Sequence, residues 1–326
     1  MIKRMSCGFW ISRILSIAVE LDLFSKLYKK SFTLADISKI LGTPLRSTKI
    51  LLTACAALDL LNKNGDSYCN SRLADKFLVK EKPEYMGYEV MIAERMWNGM
   101  SKLSEAILND SPTTLLEDRE FYDDLAHKER EGFILTMHSQ GFEAIDNLLG
   151  VVDFSKYTQL LDLGGGIGSY SMAITKKYPK IKAIIFDLPR TVNIAKKFVK
   201  QRDFSPNVEF QAGNFLKDEF SGQADVILLS RILHDWGKEE CNLLLQKCFN
   251  YLPSKGLIII HEEMLNDDET GPFWPAMLSV CILIMFKKGI VRSLSDNVSL
   301  LDSIGFVNIK TFNNGEISTI ITGEKP

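Results

Sequence analysis

An apolar run that stops at a glycine cluster and resumes at once as a helical pattern leaves the backbone few options, and residues 160–174 are such a stretch. Leu160-Leu161-Asp162-Leu163 reads as a buried strand, Gly164-Gly165-Gly166-Ile167-Gly168 as a turn, and Tyr170, Met172, Ala173 and Ile174 as one face of a helix. Glycines suit such a turn because the chain bends sharply and a ligand approaches where a Cβ would collide, while the helix start presents free N–H groups. Asp187 closes a second apolar stretch, Ile181 to Phe186, 23 residues after Gly164. A carboxylate at that separation meets the two hydroxyls of an adenosine ribose, so the pair predicts a nucleotide-cofactor site. Glycine spacing leaves the cofactor open: a dinucleotide fingerprint wants its third glycine at position 169, which is Ser169, small enough to keep NAD in play. A Walker phosphate loop is excluded, because no Lys-Ser or Lys-Thr follows the glycines.

From residue 159 onward, strand and helix patterns alternate. Strands are predicted near 159–163, 181–186, 208–212, 224–230 and 256–262, a helix over about 275–287, and another helix ending near Gly305. Two last strands, 306–312 and 316–322, are joined by Asn313-Asn314-Gly315, a hairpin signal. The pattern predicts an α/β fold, a doubly wound Rossmann-like sheet closed by an antiparallel pair and preceded by a mainly helical domain.

The first 150 residues carry helical periodicity almost throughout. Residues 33–72 read as a winged helix: Thr33 as an N-cap before Leu34, Ile37 and Ile40, a turn at Gly42-Thr43-Pro44, a second helix to Leu58, and a polar hairpin at Asn62-Lys63-Asn64-Gly65-Asp66. A DNA-binding role does not fit, since Ile50, Leu51, Leu52, Ala54, Ala56, Ala57, Leu58 and Leu60 leave that helix only Arg46 and Lys49 to meet phosphates. Net charge −2 likewise gives no reason to expect nucleic acid or an anionic membrane as partner. The stripe Phe9, Trp10, Ile14, Leu15, Ile17, Ala18, Leu21 and Phe24 is wide enough to need a partner, either the core of the same chain or, as its place at a terminus beside a small winged unit favours, a second copy in a homodimer. The expected division is a winged-helix-like dimerisation domain over 1–90, connecting helices over 91–150 and a catalytic domain over 151–326.

Six cysteines without a C-x-x-C pair and only four histidines suggest no structural metal and a reducing cytoplasm. Arg13 interrupts what would otherwise resemble a signal peptide, and the longest apolar run, 276–286, falls short of the ~20 residues a membrane span needs.

In a doubly wound fold, ligands bind at the carboxyl ends of the strands. The strand 224–230 leads there into Arg231-Ile232-Leu233-His234-Asp235-Trp236. A histidine at that edge can serve as a general base near neutral pH. Glu262, ending the next strand 28 residues on, is placed to accept the other ring N–H and to stabilise the imidazolium. His261 and Glu263 should face the opposite side and read as structural.

Taken together, Asp-Leu-Gly-Gly-Gly-x-Gly, Phe-Asp-Leu-Pro and His-Asp-Trp, after a Gly-Phe-Trp opening and a winged segment, resemble the S-adenosylmethionine-dependent small-molecule O-methyltransferases of the caffeate and acetylserotonin type. The resemblance covers nearly the whole chain. It implies a seven-stranded Rossmann-like sheet and S-adenosylmethionine as cofactor. Gly164, Gly166 and Gly168 would lie by its methionine portion, Asp187 and Leu188 by the ribose, Asn214 and Phe215 by the adenine, and Ser230 and Arg231 nearby. His234 would be the general base, with Glu262 bracing it and Asp235 beside it.

This chain departs from the family pattern twice. Gly213-Asn214-Phe215 stands where Asp usually precedes the Phe or Met, keeping a carbonyl acceptor but losing a charge. Gly289-Ile290-Val291-Arg292-Ser293 matches a segment that in plant members holds a second Glu, and Val291 cannot orient a histidine. Phe273, Trp274, Met277, Met285 and Phe286, with Met137 and Phe142, suggest an apolar pocket for a flat phenolic or quinone-like acceptor. The alternative functions are an N- or C-methyltransferase of natural-product biosynthesis, or a relative that binds the same cofactor but decarboxylates, hydroxylates or rearranges its substrate.

Overall fold

The computed structural model describes residues 1–82, 84–114, 144–200, 207–313 and 318–326. Of the expected pocket residues, Met137 and Phe142 lie outside these, as do Asn314 and Gly315 of the expected hairpin turn. The chain divides into two compact units, Met1–Asn98 and Gly99–Pro326.

In the first unit, strand β1 (Phe32–Thr33) leads into α1 (Leu34–Leu41), α2 (Leu45–Ala57) and the hairpin β2 (Leu61–Asn64) and β3 (Ser67–Asn70), in sheet order β1-β3-β2. Thr33 begins α1 with a capping box: its hydroxyl accepts from the Asp36 amide at 3.3 Å, and the Asp36 carboxylate accepts from the Thr33 amide at 3.1 Å. Such a cap contributes about 1 kcal/mol. Gly42 ends the helix at φ +65°, a left-handed conformation that costs glycine little. The core gathers Phe24, Leu27, Ile37, Leu52, Cys55 and Tyr68.

The amphipathic stripe near the N-terminus runs along the helix Gly8–Glu20, with Leu21 just past its end and Phe24 on the next helix, Leu23–Leu27, and it splits in two. Ala18, Val19 and Phe24 are buried, with Ile14, Leu15, Ile17 and Leu21 packed against them, whereas Phe9, Trp10 and Ile11 are about half exposed. Arg13, the charge that breaks the stripe, forms an ion pair with Glu94, which also accepts from the Ser16 hydroxyl at 2.8 Å.

The second unit is a seven-stranded sheet. Strands β4 (Gln159–Leu163), β5 (Lys182–Asp187), β6 (Val208–Ala212), β7 (Val226–Ser230), β8 (Leu257–Glu262), β9 (Val307–Asn313) and β10 (Thr319–Glu324) run in the order β6-β5-β4-β7-β8-β10-β9. The first five are parallel, and β10 is antiparallel to both its neighbours. Alternation sorts the strand residues onto two cores: Leu161, Leu163, Ile227, Leu229, Ile258 and Ile260 on one face, and Leu160, Val226, Leu228, Leu257 and Ile259 on the other. Each fully buried aliphatic side chain contributes roughly 1.5–3 kcal/mol. The chain order reverses direction across the sheet between β4 and β7, and a doubly wound fold opens its ligand crevice there.

Two boundaries shift from expectation. The last strand is described from Thr319, paired with Asn313, to Glu324, two residues past its expected end at 322, while its expected start at 316 lies outside the described residues. The helix expected from Pro275 begins at Phe273 and ends at Met285. Pro275 sits in its first turn, where amides have no intrahelical partner and a missing N–H costs little. Among the described residues, no helix is long and apolar enough to cross a membrane.

Candidate active site

Gly164, Gly166 and Gly168 all take positive φ, at +69°, +59° and +83°. Their reasons differ. A Cβ on Gly164 would stand 2.3 Å from the Ile232 side chain, and one on Gly168 2.0 Å from Ile185, so both are fixed by packing. A Cβ on Gly166 would meet nothing within 4 Å. The open side of the loop is therefore at Gly166, whose amide donates to the Asp187 carboxylate at 2.9 Å. The other Asp187 oxygen accepts from the Leu188 amide at 2.7 Å. Burial raises the Asp187 pKa above the ordinary carboxylate value, opposed by these amides and the Thr191 hydroxyl. The two amides and the Thr191 hydroxyl occupy three of the roughly four acceptor positions of the carboxylate. An open glycine beside a carboxylate with an acceptor position to spare fits a ligand that donates a hydroxyl.

Around this loop, Phe215 stands 3.7 Å from where a Gly164 Cβ would lie, and its ring meets Trp236 edge to face at 5.9 Å. The Asn214 amide oxygen already accepts from Leu216 N at 3.0 Å, which leaves it one lone pair for a ligand. Ser230 ends β7 beside His261 of β8. Arg231 turns left-handed at φ +56° and pairs with Glu263.

Asp162 sits beneath the loop, 1% exposed, with the Ser171 hydroxyl donating to it at 2.7 Å. Burial pushes its carboxyl up from 3.8 to about 6. The native state therefore holds a proton that the unfolded chain releases, so the stability contributed by protonated Asp162 is present below about pH 4 and lost as pH rises through 6. At neutral pH the loss is roughly 3 kcal/mol. Asp162→Asn keeps an acceptor for Ser171, and its melting temperature at pH 7.5 is expected to exceed wild type by several degrees, with no gain at pH 4. An equal gain at both pH values in scanning calorimetry would contradict this account.

The second cluster follows β7. A short 3-10 turn, Leu233–Asp235, carries His234, which is 7% exposed. Its Nδ1 lies 3.6 Å from Glu262 Oε2 and its Nε2 3.4 Å from Asp235 Oδ1. The first distance is electrostatic contact rather than a hydrogen bond. Glu262 Oε1 instead accepts from the amides of Ile232 and Leu233 at 3.0 and 2.5 Å, so this carboxylate fixes the backbone entering the turn as well as facing the ring. Burial raises the Glu262 pKa, with His234 and the two amides pulling the other way. On the opposite sheet face, His261 meets the Tyr170 ring edge to face at 5.5 Å, and burial drives its pKa down to about 4.

The structure thus brings together Gly166, Asp187 and Leu188 in one group and His234, Glu262 and Asp235 in another. Trp274 and Met277 belong to neither; they are 63% and 42% exposed, on the helix Phe273–Met285. Sequence reasoning passed over Arg292. Its buried guanidinium donates to the carbonyls of Leu233 and Trp236, at 2.8 and 2.7 Å. The available signal was a lone cation in the apolar segment Gly289-Ile290-Val291-Arg292.

Comparison with known proteins places the chain in a family. Residues 121–307 match the O-methyltransferase domain family, and residues 4–80 match the O-methyltransferase dimerisation domain. The chain is 29% identical to the 3-hydroxy-5-methyl-1-naphthoate 3-O-methyltransferase of Streptomyces sahachiroi, over 86% of this chain and 81% of that one. It is also 29% identical to acetylserotonin O-methyltransferase of Bos taurus, over 97% of this chain and 94% of that one. The crystal structure of human N-acetylserotonin methyltransferase in complex with SAM superposes with a TM-score of 0.91 at 26% identity, covering 99% of this chain and 96% of that one. A glycine loop and acidic strand end beside a buried histidine, on a sheet closed by an antiparallel pair, accompany a family match over more than half the sequence, and the chain belongs to the S-adenosylmethionine-dependent O-methyltransferase family.

Proposed function

We propose that this enzyme methylates a hydroxyl of a small aromatic metabolite, with His234 as general base. The observation that carries this reading is the burial of His234 at the carboxyl edge of the sheet, with Glu262 3.6 Å from Nδ1 and Asp235 3.4 Å from Nε2. By their names, two of the relatives above are O-methyltransferases of 3-hydroxy-5-methyl-1-naphthoate and of acetylserotonin, which supports an oxygen acceptor.

Asp187 would hold the ribose hydroxyls beside Leu188, and Gly164, Gly166 and Gly168 would lie along the methionine portion. Asn214 and Phe215 would flank the adenine, with Ser230 and Arg231 nearby. When bound, S-adenosylmethionine supplies a methyl carbon on a positively charged sulfur, open to displacement by an oxygen held in line behind it. A phenol, with a pKa near 10, is mostly protonated at neutral pH. His234 removes that proton at Nε2, and the charge it gains is stabilised by Glu262 behind the ring and Asp235 in front. Ile232, Phe215 and Trp236 supply apolar surface that keeps water from competing for the nucleophile. Alignment does most of the work, roughly 7–11 kcal/mol, and the base adds about 10²- to 10⁴-fold in rate.

Incubation with cofactor labelled at the methyl group and a panel containing N-acetylserotonin, 3-hydroxynaphthoates and catechols tests this reading. Label is expected on oxygen of a phenolic member. Transfer only to amines or carbon, or none with any hydroxyarene, contradicts it.

The exposed Phe9, Trp10 and Ile11 lie within the dimerisation-domain match and form our proposed homodimer surface. Sedimentation at micromolar concentration is expected to give a dimer, and a monomer would refute the assignment. All six thiols are unpaired, in keeping with a reducing cytoplasm as the site of action; fractionation that recovers the protein outside that compartment would overturn this placement.

A further inference from the structure

The turn that carries His234 is held from three sides, and two of the three come from one segment, residues 289–292. Glu262 accepts the amides of Ile232 and Leu233, before the histidine. Arg292 Nη1 donates to the carbonyl of Leu233 at 2.8 Å and, longer, to that of Ile290 at 3.5 Å, while Nη2 donates to Trp236 O at 2.7 Å. The guanidinium therefore spans His234, holding carbonyls on either side of it in the planar two-pronged geometry that arginine offers and lysine does not. The Cys241 thiol adds a weak donor to the same Leu233 carbonyl, at 3.4 Å. Gly289 completes the support: a Cβ there would stand 2.8 Å from the His234 carbonyl oxygen, so only glycine lets the two backbones approach.

The segment is itself fixed to the strand that carries Glu262. Leu265 N donates to Arg292 O at 3.1 Å, and Leu294 N donates to Leu265 O at 3.2 Å, a parallel bridge three residues past Glu262. The carboxylate and guanidinium thus grip opposite ends of the turn from a common support. Arg292 is 9% exposed, and a buried cation is retained only where its donors are used.

We propose that Arg292 is a positioning residue for His234: its two-carbonyl grip, with the close approach of Gly289, sets the direction of the imidazole toward the acceptor hydroxyl. Val291, which occupies the place of a second bracing glutamate, is buried and apolar, so orientation of the histidine here falls to the backbone grip and Glu262. The assignment rests on reading His234 as the base.

The test uses full-length protein labelled with ¹⁵N-histidine, where only four imidazoles contribute signals and His234→Ala identifies the one of interest. In Arg292→Met, the ring nitrogen resonances of His234 are expected to shift or broaden while those of His261 stay in place. In parallel, kcat with a phenol from the panel above should fall roughly 10- to 100-fold at unchanged KM. Arg292→Lys, able to reach one carbonyl, should recover part of both. In a His234→Ala background, Arg292→Met should cause little further loss, because it acts through the histidine. Unchanged His234 resonances and kcat in a folded Arg292→Met protein would overturn the proposal, as would an equal loss in both backgrounds. If Arg292→Met does not fold, Arg292→Lys decides by the same resonances and kcat. Wild-type turnover in His234→Ala alone would instead remove the base reading, while the resonances would still report whether Arg292 orients the ring.

Discussion

His234→Ala is expected to lower kcat for a phenolic acceptor by about 10²- to 10⁴-fold while leaving cofactor affinity within twofold of wild type. The histidine is buried on its 3-10 turn, so the substitution removes a ring from between Glu262 and Asp235 without touching the Gly166–Asp187 pair. Glu262 still accepts the two amides before the turn, which keeps the local backbone in place. The loss should depend on the acceptor. A nitrophenol that is already ionised at neutral pH needs no base, so its turnover should fall far less than that of an ordinary phenol. Parallel loss on both acceptors would show that His234 positions the substrate rather than taking its proton. Glu262→Gln offers a second comparison: it keeps one acceptor for the turn amides but removes the charge facing Nδ1, and should cost less than loss of the ring.

Much of this architecture was legible in the sequence, for reasons that lie in particular residues. The inner strands β4, β5, β7 and β8 are largely buried and read as runs dominated by Val, Ile, Leu and Ala, and the edge strand β6 keeps Val208 and Phe210 in a β pattern, so β4 to β8 fall within a residue or two of their expected places. Thr33 with Asp36, and Gly42, bound the first wing helix through side-chain chemistry written locally in the chain. The hairpin register was not legible, because pairing of Asn313 with Thr319 depends on β8 beneath β10 as well as on the turn residues. His234, Glu262 and Asp235 could be placed at one edge because strand ends are countable. What could not be counted was how Glu262 divides its two oxygens between the ring and the backbone. Arg292 was hidden for a deeper reason. Its partners are main-chain carbonyls 56 and 59 residues away, and carbonyls leave no trace in a sequence.

Asp187→Ala is expected to weaken cofactor binding by about 10²-fold or more, and calorimetric titration with S-adenosylhomocysteine would measure it. One ribose hydroxyl donating to the spare acceptor position and a second taking the place of the Thr191 hydroxyl, at roughly 1.5–3 kcal/mol each, account for about two decades in Kd. Removing the carboxylate also leaves the Gly166 and Leu188 amides without their acceptor, which loosens the loop that the ligand must meet. Affinity within threefold of wild type would place the ribose elsewhere. Two glycine variants separate the loop's service to the ligand from its service to the fold. Gly168→Ala drives a methyl to within 2.0 Å of Ile185 and should lower the melting temperature. Gly166→Ala meets no protein atom within 4 Å and carries only the left-handed strain of about 1–2 kcal/mol. A cofactor lying against that open face would meet the new methyl directly, so Gly166→Ala should lose affinity well beyond its small loss of stability. If it binds as wild type does, the open side of the glycine loop is not where the cofactor lies.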